Sequence, residues 1–367
     1  MLEASRRHFL RGAILYAMAV GSGIGLSACG GGGSSWDNNT AIPNPSVGAF
    51  VHGVASGDPL SDRVILWTRV SASAPGTLTV TWEVASDSGF GIIVARGSAS
   101  TGPQQDYTVK VDAAGLQPAS VYYYRFYIGS ERSATERTKT LPVGNVSQVK
   151  FAIVSCASFP AGYFNVYAEV AKRTDIDVVL HLGDYICEYG VVGFAAQLAI
   201  AFDRQSDPSH ETLTLDDYRW RHAQYRTDTD LLVLHPNLPV IAVWDDHELA
   251  NNAWSSGASN HDPATEGSFV ARRSAAVQAY HEWLPTRLPD PVVPLKIYRS
   301  FDFGNLLSLY MLDTRLIGRN EQLTLNQYLQ GAASGASRQL LGVEQSNWFA
   351  AQFTASRARG RCSGNRC

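Results

Sequence analysis

The residues best suited to chemistry stand at the ends of three apolar runs. KFAIVSC closes on Cys156, DVVLHLGD closes on Asp184 with Cys187 three positions further on, and PVIAVWDDHE carries Asp246 and His247. A carboxylate with two oxygens can bridge two cations, and a second carboxylate adds a hard oxygen ligand suited to calcium or a similar ion. A thiolate prefers a softer or more oxidised transition metal. His247, next to a ligand without being an obvious one itself, is placed to give a proton or a hydrogen bond to a reacting oxygen or leaving group. Each signal also has a plain structural use, since an aspartate at a strand end often caps a helix and a cysteine there is often a small buried hydrophobe. The chemical reading rests on their coincidence at successive strand ends.

Strands with such ends need a layered frame. After a loop at Pro142–Ser147 the chain alternates buried strands with amphipathic segments, as an α/β arrangement requires. The strands are expected at Lys150–Cys156, Asp177–Asp184, Pro239–Glu248 and Asn305–Asp313, with helices including Leu215–Tyr225 and Phe269–Leu284. Thr214 followed by Asp217 is close to a capping box. Open α/β folds hold ligands beyond the carboxyl ends of their strands, which would bring Cys156, Asp184, Cys187 and Asp246 to one cleft. Gly183 lets the chain turn sharply enough for Asp184 to leave the sheet end.

Upstream, from Phe50 to Leu141, the pattern is short alternating runs such as VILWTRV and VYYYRFYI, the signature of an all-β sandwich. GLQPASVYYYRF resembles the corner of immunoglobulin- and fibronectin-like domains, where a tyrosine hydroxyl ties a turn to a strand. His52 and Asp58, ahead of and within a tight GDP turn, read as structural rather than as ligands.

A chain of 367 residues that is 45% hydrophobic is long enough for two globular units. Its formal charge of −3 includes a basic leader; without Glu3, Arg6, Arg7 and Arg11 the 30 basic and 33 acidic residues become 27 and 32, or −5. That argues against a nucleic-acid partner. Residues 1–29 read as an address. SRRHFL precedes an apolar stretch, Gly12–Leu26, that is too short and too Gly-interrupted to span a membrane. It resembles a twin-arginine export signal; a chance arginine pair in an ordinary secretion signal is the alternative. LSAC resembles a lipobox with Cys29 as the lipid-bearing residue, and residues 30–45 read as a Gly/Ser tether. The expected location is therefore periplasmic or cell-surface, anchored to the membrane by acyl chains.

SCAS, HLGDYICEYG and VWDDHELANNAW, together with FVHGVASGDPLSDRVILWTRV, resemble the metallophosphoesterases of the PhoD type. GDYI and WDDHE stand where generic members of that superfamily carry GD and GNHE, and the likeness runs from about Phe50 to Asn347. The resemblance implies a sandwich over residues 46–142 and a metallophosphoesterase-like α/β domain over residues 148–358. It also implies a centre of iron with calcium that hydrolyses phosphate monoesters and diesters at alkaline pH by attack of an activated water. By position, Cys156 would bind iron, Asp184 would bridge the metals, Asp246 would bind calcium and His247 would support the phosphoryl group. Asn252 and Arg226 would join the pocket as a ligand and a catalytic residue; a capping amide and a surface ion pair are their plain alternatives.

Two departures stand out. Cys187 replaces the tyrosine of the family's GDYIYEY, and either its thiolate substitutes as a ligand or it pairs with Cys156 in a disulfide; both readings stay open. Beyond Asp313 the family's further GD-x-H segment has no counterpart, and RGRCSGNRC, residues 359–367, reads as an aberrant tail of a truncated or frameshifted chain. The α/β domain is therefore expected to be incomplete and its activity weak or absent. The alternative function is a catalytically dead, lipid-anchored surface or binding module.

Overall fold

A computed structural model of the chain describes residues 49–72, 74–332 and 337–365. The export signal, the lipid-bearing Cys29 and the tether expected over residues 1–45 lie outside the described residues. Among the described residues no helix is long and apolar enough to cross a membrane.

Alternating apolar residues make two sheets in the first part of the chain. Strands β1 (Val54–Gly57), β2 (Arg63–Arg69) and β5 (Thr108–Ala114) pair antiparallel in the order β5-β2-β1. Strands β3 (Leu78–Ala85), β4 (Ile93–Thr101), β6 (Val121–Ile128) and β7 (Glu131–Arg132) form a second sheet in the order β4-β3-β6-β7, with β8 (Glu136–Lys139) also on β6. Val64, Leu66, Val80, Val84, Tyr124 and Phe126 share one core. At the corner the Tyr122 hydroxyl accepts from the Gln117 amide at 2.7 Å, the tie expected from the Leu-x-Pro turn.

The two expected modules are not separate at the level of the sheet. Strands β9 (Phe151–Val154), β10 (Val178–His181) and β11 (Val240–Ala242) run parallel, and β1 adds to them through the register pair Gly57↔Val240. One six-stranded sheet results, β5-β2-β1-β11-β10-β9. Glycine is needed at the joint: a Cβ on Gly57 would lie 2.3 Å from the Pro285 carbonyl and 2.6 Å from that of Val240. The core beneath crosses the joint as well, with Ala55 and Trp67 packed in the same cluster as Val240, Trp244 and Trp283.

An ion pair locks that joint. Asp58, fully buried after β1, receives Nε and Nη2 of Arg299 at 2.7 Å each and the Arg287 amide at 2.5 Å. The reading of Asp58 as structural follows from those contacts, and His52, edge-on to Trp283 at 5.2 Å, is likewise a packing residue. Asp58→Ala leaves the Arg299 charge buried and unpaired, and is expected to cost about 3–5 kcal/mol in a urea or thermal unfolding series.

The fourth expected strand lies elsewhere. Strand β13 (Leu307–Met311) leaves the main sheet and pairs with β12 (Arg299–Phe303) and, in parallel, with β14 (Gly360–Gly364). The segment expected to be an aberrant tail is thus an edge strand over most of its length. Ladder bonds use the main chain alone, and Arg361 anchors the strand by lying 5.1 Å over the Phe353 ring and donating to the Phe353 and Ser356 carbonyls. Arginine, glycine and cysteine in that stretch therefore do not prevent pairing.

Candidate active site

Parallel pairing aligns the strand ends, since His181 is in register with Val154 of β9 on one side and Ala242 of β11 on the other. Gly183 then turns at φ +95°, and a Cβ there would lie 2.4 Å from the Asp245 nitrogen, so only glycine lets the two loops close on each other. Cys156, Asp184 and Asn252 all hold positive φ, at 62°, 53° and 54°. Such strained backbone in non-glycine residues gathers at functional sites.

A buried carboxylate stitches the loops together. Glu248 accepts the amides of Tyr185 at 2.5 Å and Asp245 at 2.7 Å, and Asp184 Oδ1 accepts the His247 amide at 3.3 Å. The outcome is two overlapping sets of candidate ligand atoms, Asp184 with Asp246 and His247, and Cys187 with Glu188 and His247, each set within 4.8 Å. Four residues singled out from sequence, Asp184, Cys187, Asp246 and His247, therefore meet.

The other expected members fall differently. Cys156 sits at the same strand ends, its amide donating to the Gly183 carbonyl at 3.1 Å, while its exposed sulfur lies 3.3 Å from Ser155 Oγ and outside both sets. Asn252 reaches the cluster through its backbone, whose N–H donates to Asp246 Oδ2 at 2.6 Å. Cys187 is a buried thiol, with its sulfur 3.7 Å from Glu188 Oε2 and 3.8 Å from His247 Nδ1. It turns toward His247 and is not bridged to Cys156. Arg226 must be corrected: it is buried with its guanidinium 4.3 Å over Trp67 and Nη2 donating to the Trp283 carbonyl, in the core and not in the strand-end cluster. It follows a helix, Leu215–Tyr225, whose Arg221, His222 and Tyr225 are all buried, so it continues an inward-facing side.

Sequence reasoning missed Glu188, Glu248 and Arg315. Glu188 is fully buried and accepts His247 Nδ1 at 2.7 Å, the Asn251 amide at 2.6 Å and Asn260 Nδ2 at 3.1 Å. Arg315 donates to both oxygens of Asp245, at 2.7 and 3.2 Å, and lies 3.2 Å from Asp246 Oδ1. Asp313, the end of the fourth expected strand, accepts the amides of Arg315, Leu316 and Ile317 and so aims Arg315 inward. Arg221 props the Cys187–Tyr189 loop from below, donating to the carbonyls of both residues. The only available signal was adjacency: Glu188 follows Cys187 and Glu248 follows His247.

Charge in the cluster is uneven. Burial works against a charged His247, yet its contacts with Cys187 and the Glu188 carboxylate outweigh that and hold its pKa well above the usual range. Burial pushes Glu248 up to about 8, with the Asp184 charge adding to the shift. Burial likewise raises the Cys187 thiol. For Asp246 the desolvation is overcome by His247 and Arg315, which keep its pKa low. Glu188→Gln removes the charge that orients His247 and holds its proton, and is expected to move the His247 pKa down toward the ordinary imidazole range; an NMR titration of the ring checks it.

Residues 151–366 match the family profile described as PhoD-like phosphatase, and residues 37–142 match its N-terminal domain. The chain is 41% identical over 360 residues to alkaline phosphatase D of Bacillus subtilis (strain 168), covering 94% of this chain and 59% of that protein. It superposes on the solved structure of PhoD with a TM-score of 0.76 at 39% identity, covering 88% of this chain and 63% of that one. The chain thus spans less than two thirds of the length of both relatives.

Proposed function

Because the chain belongs to the PhoD-like phosphatase family, we propose that it hydrolyses phosphate esters at the joined ends of β9, β10 and β11. The observation that carries this reading is the pair of candidate ligand sets that share His247. The donors suit metal ions: carboxylate oxygens of Asp184 and Asp246 fit a hard ion such as calcium, and the thiol of Cys187 beside Glu188, with Cys156 at the neighbouring strand end, fits a transition metal such as iron. When bound, such ions polarise phosphoryl oxygens and lower the pKa of a water so that it can attack phosphorus.

The protein's own groups do the rest. Glu188 holds His247 through Nδ1, which fixes the ring and leaves Nε2 to donate a hydrogen bond or proton to a phosphoryl oxygen or leaving group. Arg315 neutralises Asp245 and steadies the Asp246 loop. Glu248 keeps the two loops at fixed separation.

The test is metal analysis of the purified chain together with hydrolysis of p-nitrophenyl phosphate and bis(p-nitrophenyl) phosphate at alkaline pH, before and after chelation. Retained metal and turnover that chelation abolishes support the reading. Tightly held metal without turnover of either ester supports the alternative of a catalytically dead binding module. We further propose export through residues 1–29 and anchoring at Cys29, on the strength of SRRHFL and LSAC. Cys29→Ala should release the protein from the membrane fraction, and its retention there would exclude the lipid anchor.

A further inference from the structure

Six arginines are buried among the described residues, and five of them are provided for. Arg204 pairs with Asp228 at 2.7 Å, Arg272 with Glu211 at 2.6 Å, Arg299 with Asp58 at 2.7 Å and Arg315 with Asp245 at 2.7 Å. Arg221 makes no ion pair among the described residues, but it donates to four backbone carbonyls, those of Cys187, Tyr189, Asp207 and Pro208, and feels the charges of Glu188 and Asp207. Arg226 is the exception. At 1% exposure it makes a single side-chain hydrogen bond, a long one of 3.4 Å from Nη2 to the Trp283 carbonyl.

What surrounds it is rich in donors and poor in negative charge. Arg226 follows His222 by one helical turn, with its amide on the His222 carbonyl at 3.1 Å. The His222 ring stacks on Trp283 with centroids 6.2 Å apart and planes 10° apart, while the guanidinium lies 4.3 Å over Trp67. Arg226 Nε and Nη1, both ring nitrogens of His222 and Trp283 Nε1 are all buried without a hydrogen-bond partner among the described residues. Burial pushes the Arg226 pKa below its usual value, opposed only in part by Tyr185 and Tyr124, and no carboxylate is among the opposing groups.

A guanidinium cannot shed its proton, so a fully buried one needs a counter-charge or several strong dipoles. We propose that Arg226, His222 and Trp283 hold a small monovalent inorganic anion, a halide, in the core beside Trp67. Water could satisfy the N–H groups but would leave the positive charge uncompensated. The enclosure by two indoles and an imidazole favours a small ion that sheds its hydration readily over a tetrahedral oxyanion. This site is distinct from the strand-end cluster and does not depend on phosphate ester hydrolysis.

Thermal melting of the full chain tests it, in sodium chloride or bromide against sodium gluconate at equal ionic strength. A saturable halide-specific rise of a few °C is expected, and Arg226→Met should abolish it. Equal melting in all three salts, or a halide effect that persists in Arg226→Met, overturns the proposal. Should that variant fail to fold, crystals of the unaltered chain grown in bromide decide the matter. An anomalous peak against the Arg226 guanidinium upholds the site, and its absence there overturns it.

Discussion

Asp184→Asn is expected, under the proposed metal-dependent hydrolysis, to release bound metal and to cut phosphate ester turnover by at least about 100-fold, beyond the roughly 10–100-fold that loss of an outer-sphere partner costs. Asparagine tolerates the left-handed backbone that Asp184 adopts, with φ 53°, so the turn should survive. It also retains an oxygen to accept the His247 amide. What it loses is a charge shared with Asp246 in one candidate ligand set. That charge also raises the pKa of the buried Glu248, although burial itself is the larger cause. Its removal should therefore leave the metal-free protein as stable as before, or slightly more so, while the metal-loaded protein loses stability. Metal content, turnover and melting with and without chelator measure all three. Full metal occupancy and undiminished turnover in Asp184→Asn would remove this carboxylate from the centre.

The sequence revealed the strand ends and concealed what braces them. Asp184, Cys187, Asp246 and His247 were legible because apolar runs that stop at Gly-Asp or Asp-Asp-His place polar groups where a parallel sheet opens. Glu188, Glu248 and Arg315 were not, because their roles come from contacts across loops: Arg315 meets Asp245 from 70 residues away. Arg226 misled for a related reason. Helical spacing shows that it shares a side with His222, but not that this side packs on Trp67 and Trp283 instead of facing the site. The joint between β1 and β11 rests on one register pair between residues far apart in the chain, and no local pattern announces it. The strand at Gly360–Gly364 was hidden by composition, since side-chain type says little about an edge strand held by its backbone.

In acid, the metal-free chain should lose stability in two stages, gently from neutral pH to about 4.5 and then steeply, with unfolding complete near pH 3. Burial depresses His52, His181, His222 and His281 to about 3 and holds His235 well below its usual value, with positive neighbours adding to the effect at His52, His222, His235 and His281. Unfolded, each takes up a proton near 6.5, so between about 6.5 and 3 the unfolded chain binds more protons. The stability they confer is complete above 6.5 and declines as pH falls. Raised carboxylates oppose this. Burial lifts Glu136 to about 7 and Glu248 to about 8, and raises Asp245 too. These three groups protonate first in the folded chain, which offsets three of the five histidine protons until the unfolded carboxylates titrate near 4.3. Below that point the opposition ends. Five unmatched protons at about 1.4 kcal/mol per pH unit each come to about 7 kcal/mol per unit, enough over the roughly 1.5 units down to pH 3 to consume a typical folding free energy. Circular dichroism across pH 7 to 3, with proton uptake measured on unfolding at pH 5.5 and pH 4, checks both stages. Glu136→Gln removes one opposing proton and should steepen the upper stage alone, whereas a chain still folded at pH 3 would mean that the buried histidines accept protons in place.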